Sequence, residues 1–209
     1  PMDERTAGSD FSVLFVCTAN HCRSPLAEFI LAEELESRDL FWEVSSAGTQ
    51  ARPGVPMHPT AARILERRDR DPSDWVSRSL DVDLIDRSDL ILTAAEEHRG
   101  VVARMQPAAM SRTFTLLQFA HLSTALPTPD ILPNADYGRS LLSHVSAARS
   151  RVQPLPRAER DVSDPMGQPA FRFRRCATTI ERAIQQILSG VTRERWNSTH
   201  QPVASQPNG

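Results

Sequence analysis

Cys17 and Arg23 stand with five residues between them in the stretch 13–25, VLFVCTANHCRSP. A thiol and a guanidinium at that separation can close a loop around a tetrahedral oxyanion. An apolar strand running into Cys17 would hold the loop rigid. A helix opening after Ser24 would aim its N–H groups and dipole into the same spot. The chemistry implied is cleavage of a phosphate ester through a cysteine.

Spacing alone proves little, because C-x5-R recurs at Cys176 and Arg182. There Phe173, Cys176, Ile180, Ala183, Ile184 and Ile187 repeat at helical intervals. A continuous helix bonds its own amides one turn back and cannot converge them on an anion. Cys176 is read as core filler. Cys17, by contrast, follows a β-rich run and precedes Ser24-Pro25, a hydroxyl and a residue suited to a first helical turn.

The elements needed to position such a loop follow from periodicity, which alternates strand and helix as in a parallel sheet covered on both faces. Strands are expected at 12–16, 42–45, 90–93 and 112–115, and helices at 25–35, 60–68, 96–105, 116–123, 138–152 and 170–188. Segments 69–79 and 153–164 read as loop. Stretch 126–133 carries three prolines and is excluded from regular structure. The fold class expected is α/β, a small doubly wound four-stranded parallel sheet with helices on both faces. Ligand belongs at the carboxyl ends of its strands, where the Cys17 loop lies. One domain over 11–190, with an insertion at about 121–160 and disordered tails at 1–10 and 192–209, accounts for the 209 residues.

Composition narrows the class. The formal net charge is −2, so no general electrostatic case for nucleic acid exists. All 24 residues of the Lys+Arg count are Arg, a coding bias rather than a functional clue. The arginine-rich stretch 171–175 reads as a solvated helix face. No apolar run of membrane length and no signal peptide occur, so a cytoplasmic protein without membrane partners is expected. Three cysteines do not suggest a disulfide framework. The six histidines show no metal-ligand spacing, and residues 69–74 lack the glycine and terminal glutamate of a calcium loop. No cofactor and no metal are called for.

With the loop, the sheet pattern and the late Asp164-Pro165 in view, the chain resembles the low-molecular-weight protein-tyrosine phosphatases. The family motif C-x-G-N-x-C-R-S-P stands here as Cys17-Thr18-Ala19-Asn20-His21-Cys22-Arg23-Ser24-Pro25, and residues 45–48, SSAG, resemble the family's second-strand motif. The resemblance covers roughly 11–120 and 160–190. It implies a cysteine-dependent phosphomonoesterase, a protein-tyrosine phosphatase acting on a phosphorylated protein or a small phosphate ester through a phosphocysteine. Cys17 is then the thiolate nucleophile. Arg23 grips two phosphate oxygens, which lysine, a point charge, could not reproduce. The backbone N–H groups of 18–24 stabilise the remaining charge, and Ser24 donates to the sulfur. The resemblance assigns Asn20 to holding loop shape, and asparagine also tolerates left-handed backbone angles. Ser46 is either its partner or an ordinary strand serine. His21 either adds positive charge or packs as a neutral ring. Asp-Pro occurs at 71–72 and 164–165; the family places its general acid late, which selects Asp164. The resemblance implies that Cys22 pairs with Cys17 against over-oxidation; as a small buried residue it can also support the loop, and both can hold at once.

Departures bear on substrate. Ala19 replaces the usual loop glycine, Gln50 follows the SSAG-like segment, and Met166 follows the Asp-Pro, where many relatives carry aromatics that grip a phenyl ring. Two other functions stay open: arsenate reduction resolved by an external thiol, and phosphate binding without turnover.

Overall fold

In the computed structural model, which describes residues 11–125 and 137–189, strand β1 (Phe11–Cys17) is the axis on which everything else is laid. Its side chains divide with the period of two that a strand imposes. Phe11, Val13 and Phe15 enter one apolar cluster and Leu14 and Val16 the other. Because both faces are buried, β1 reads as a near-continuous apolar run, as strands of parallel sheets do.

Helix α1 (Arg23–Glu36) returns the chain to β2 (Trp42–Gly48), which pairs parallel to β1 in register from Phe11 opposite Trp42 to Cys17 opposite Gly48. Helices α2 (Pro59–Glu66) and α3 (Val82–Arg87) precede β3 (Leu90–Thr93), parallel to β1 on its other side. Helix α4 (Glu96–Met105) and a 3-10 turn (Pro107–Arg112) lead to β4 (Thr113–Thr115). The sheet order is β2-β1-β3-β4, all parallel, so the doubly wound α/β sheet read from periodicity is present. Helices α5 (Leu116–Ala125), α6 (Tyr137–Ala148) and α7 (Ala170–Ile187) complete the described chain. Residues of α1, α5 and α7 build the larger cluster, and residues of α3 and α4 the smaller.

Several boundaries differ from expectation. Helix α1 begins at Arg23 rather than 25, so the guanidinium rises from the first turn itself. Strand β2 runs on through Gly48, carrying Ser46, Ala47 and Gly48 inside the sheet rather than in a loop. Helix α3, six residues long, lies where none was expected; the Asp81 side chain caps it by accepting from the Leu84 N–H at 2.7 Å. The expected tails and the middle of the expected insertion, 126–136, lie outside the described residues.

Candidate active site

Cys17 ends β1, and the next five residues form a loop before α1. The loop carbonyls are turned outward and tied down: the Thr49 N–H donates to Cys17 O at 2.9 Å and the Gln50 N–H to Thr18 O at 2.8 Å. The loop sits so close to β2 that a Cβ on Gly48 would stand 2.6 Å from Thr18 O and 2.8 Å from Asn20 N. With the carbonyls facing away, the amides face in. The Asn20 N–H points at Cys17 Sγ, 3.3 Å away. Among the described residues, the N–H groups of Thr18, Ala19, His21 and Cys22 have no protein acceptor, the signature of an anion-binding nest. The one left-handed residue in the loop is Asn20, at φ 55°. Ala19 keeps an ordinary negative φ, so its Cβ strains nothing.

A hydrogen-bonded chain runs behind the sulfur. Asn20 Oδ1 accepts from the Arg78 N–H at 2.9 Å, which fixes the amide's orientation. Its Nδ2 donates to Ser24 Oγ at 2.9 Å and to Ser46 Oγ at 2.8 Å. Ser46 passes its proton on to Glu28 Oε2 at 2.5 Å. Ser24, already accepting from Asn20, can give its own proton to Cys17 Sγ at 3.0 Å, with Ala47 O, at 3.4 Å, the more distant alternative acceptor. Burial raises the Glu28 carboxyl above its ordinary range, while bonds from Ser46 and Trp75 and the Arg78 charge oppose the shift. Asn20 and Ser46 are thus direct partners. Glu28, Trp75 and Arg78 belong to no local motif, and their contacts span 18 to 58 residues of sequence; Gly48 ends the SSAG segment, but its close approach to the loop has no local signal.

Arg23 is buried to 6% exposure and donates through one terminal nitrogen to Asp164 Oδ2 at 2.6 Å and Thr18 Oγ1 at 3.2 Å. Asp164, half exposed, is carried by a segment bonded to the sheet end: the Val162 N–H donates to Ala94 O, and Ala94 in turn donates to Val16 O, each at 2.8 Å. Two segments 141 residues apart therefore meet at one ion pair. Asp161 accepts the Glu96 N–H at 2.9 Å, capping α4 beside it. A cleft of about 610 Å³ opens over Arg23, lined by residues 95–97, Arg157 and 161–164. Asp71, the other Asp-Pro, accepts the Ser73 N–H in an exposed turn.

Cys22 and Cys176 are free buried thiols in the larger core cluster. Burial pushes the Cys22 thiol up, and the Cys176 thiol to about 12, so both are protonated at neutral pH. His21 is half-buried, its Nε2 unpartnered, and its carbonyl accepts the His58 N–H at 2.9 Å. Among the described residues no group of three or more His, Cys, Asp and Glu side chains is placed to hold a metal, and no helix is long and apolar enough to cross a membrane.

A family model described as low molecular weight phosphotyrosine protein phosphatase matches residues 12–139. The protein-arginine-phosphatase of Bacillus subtilis (strain 168) is 32% identical over 107 residues, covering 51% of this chain and 71% of that protein. Arsenate reductase 1 of Bacillus cereus is 37% identical over 96 residues, 46% of this chain and 67% of that one. Among solved structures, the low molecular weight protein tyrosine phosphatase of T. tengcongensis superposes with a TM-score of 0.65 at 26% identity, over 86% of this chain and 98% of that chain.

Proposed function

We propose that this chain, which belongs to the low molecular weight phosphotyrosine protein phosphatase family and is a phosphatase of that family, works through a phosphocysteine on Cys17, with phosphotyrosine in protein as its substrate. Cys17 Sγ attacks phosphorus in line while the loop amides and Arg23 take the three equatorial oxygens. The leaving phenoxide needs a proton, and Asp164, the carboxyl nearest Arg23 at the mouth, supplies it. For this its ion pair with Arg23 must open and the carboxylate take up a proton from solvent, while the phosphoryl group that Arg23 then forks onto replaces it as partner. Asp164, now ionised, takes a proton from the attacking water, and Ser24 eases departure of the sulfur by donating to it. The observation that carries the proposal is the set of loop amides without acceptors beside a sulfur held by Ser24 and Asn20.

A second substrate is favoured by the mouth itself. Gln50 and Met166 stand in place of the aromatics that the family resemblance leads one to expect, and the cleft over Arg23 carries Glu96, Glu97 and Asp161 beside Arg157. That lining suits the guanidino group of phosphoarginine, the side chain implied by the name of the Bacillus subtilis relative. Hydrolysis of matched phosphotyrosine and phosphoarginine peptides by wild type and Cys17→Ser decides. Cys17-dependent release from the tyrosine peptide supports the proposal, and preference for the arginine peptide moves it to the second substrate. Equal turnover by wild type and Cys17→Ser rejects covalent catalysis. Arsenate with an external thiol, run alongside, tests the chemistry named in the Bacillus cereus relative.

A further inference from the structure

His98 belongs to no motif, yet it is 1% exposed in the first turn of α4, with Nε2 2.9 Å from Thr18 Oγ1 in the phosphate loop. Its other nitrogen, Nδ1, is buried with no partner. The same Thr18 oxygen accepts from Arg23 at 3.2 Å.

Proton counting gives this arrangement a direction. A hydroxyl has two lone pairs and one proton. Glu97 Oε1 lies 3.4 Å from His98 Nε2, which favours a proton there and disfavours a lone pair facing the carboxylate. The alternative tautomer would bury an N–H at Nδ1 with no acceptor, a rarer and costlier arrangement than an unused lone pair. Nε2–H therefore donates to Thr18, and Arg23 donates to it as well. Both lone pairs are used, and among the described residues the Thr18 proton has no acceptor. The hydroxyl stands at the mouth, because the Arg23 nitrogen it accepts from is also the one 2.6 Å from Asp164.

We propose that the Thr18 hydroxyl is a further donor to the phosphoryl group, and that His98 is the positioning residue that commits it to donate. The proposal rests on the Cys17 phosphatase chemistry above and adds to it a side-chain contact beyond the loop amides. The charged groups facing His98 are Arg23 from α1, Asp164 from the segment before α7 and Glu97 from α4 itself. Burial and the Arg23 charge lower the imidazole to about 4, with Asp164 opposing. The ring is neutral at working pH and carries the single N–H that the arrangement needs.

The test compares wild type, Thr18→Val, His98→Leu, His98→Gln and the double variant Thr18→Val/His98→Leu. Each is assayed for kcat and KM on p-nitrophenyl phosphate and for inhibition by inorganic phosphate. A hydrogen bond to a charged group predicts a loss of about tenfold in kcat/KM for Thr18→Val, with weaker phosphate inhibition. His98→Leu should lose a similar factor, and the double variant no more than either alone, since both remove one interaction. His98→Gln, which keeps an N–H donor, should retain activity that His98→Leu loses. Multiplying losses in the double variant, or undiminished phosphate inhibition in Thr18→Val, would overturn the proposal. Should His98→Leu fail to fold by circular dichroism, Thr18→Val and His98→Gln still decide. Loss of Cys17 dependence in wild type is a separate outcome, and it would reject the underlying chemistry instead.

Discussion

At the carboxyl end of β1, Asn20, Ser24, Ser46 and Glu28 pass hydrogen bonds from one to the next behind Cys17. At the amino end of the same strand, Phe11 meets the Trp42 ring edge-on at 4.9 Å, and Tyr137 stacks on Trp42 at 6.2 Å. One end is held by directional bonds, each needing a matched donor and acceptor. The other is held by contact area, which is indifferent to small rotations. The difference teaches where tolerance lies. A half-satisfied polar network costs more than an apolar contact slightly misfitted, so the carboxyl end fixes geometry and the amino end contributes stability. A glycine marks the tightest point at each. A Cβ on Gly48 would meet loop backbone, and one on Gly138 would fall 2.3 Å from the Phe11 ring.

Substitutions at the two ends should separate activity from stability. Asp164→Asn should cut kcat on alkyl phosphates by about a thousandfold, and on p-nitrophenyl phosphate far less, because that leaving group needs little protonation. An equal loss on both would remove Asp164 from the acid role. His98 tests the carboxyl end through pH. Its folded value near 4 lies below the ordinary 6.5, so the unfolded chain binds the proton first. Its contribution is fully present above pH 6.5 and is lost as pH falls toward 4, on the order of 3 kcal/mol at most. In denaturant titrations, His98→Gln should flatten that part of the stability curve; an unchanged slope would contradict the assignment.

Gly48→Ala should lower kcat/KM by about a hundredfold, because the loop must shift by a fraction of an ångström or more under the new methyl. Unchanged kcat would show that the loop yields without penalty. Gly138→Ala, the counterpart at the amino end, should cost about 2 kcal/mol by overpacking against Phe11 and leave kcat per folded molecule as it was. A fall in kcat there would couple ends held here to be independent.

The fold was legible where its signals were contiguous. The apolar run of β1, the alternation into β3 and the helical spacing of α7 come through at nearly the right boundaries, because burial on a whole face leaves a periodic trace. Helix α3 was not legible: six residues following an aspartate cap carry too little periodicity to stand out from a polar loop. The early start of α1 escaped because Arg23 and Ser24 look polar yet are buried at the sheet end. The loop and Asp164 could be picked out from motif and position. Glu28 and His98 could not, since each acts on a partner far away in sequence, such as Thr18, 80 residues from His98; Gly48 lay inside the SSAG motif, but its close approach to the loop did not show there. Ala19, where a Cβ looked hardest to accommodate, is unstrained because the left-handed turn falls one residue later, at Asn20.

Covalent phosphorylation of Cys17, as proposed above, is the step from which every other proposed role takes its meaning. Acid-quenched reaction of wild type with p-nitrophenyl phosphate, followed by peptide mass spectrometry, measures it directly. Phosphate should appear on the peptide containing Cys17, transiently in wild type, longer-lived in Asp164→Asn, and never at Cys22 or Cys176. Turnover that proceeds at the wild-type rate in Cys17→Ser would contradict it.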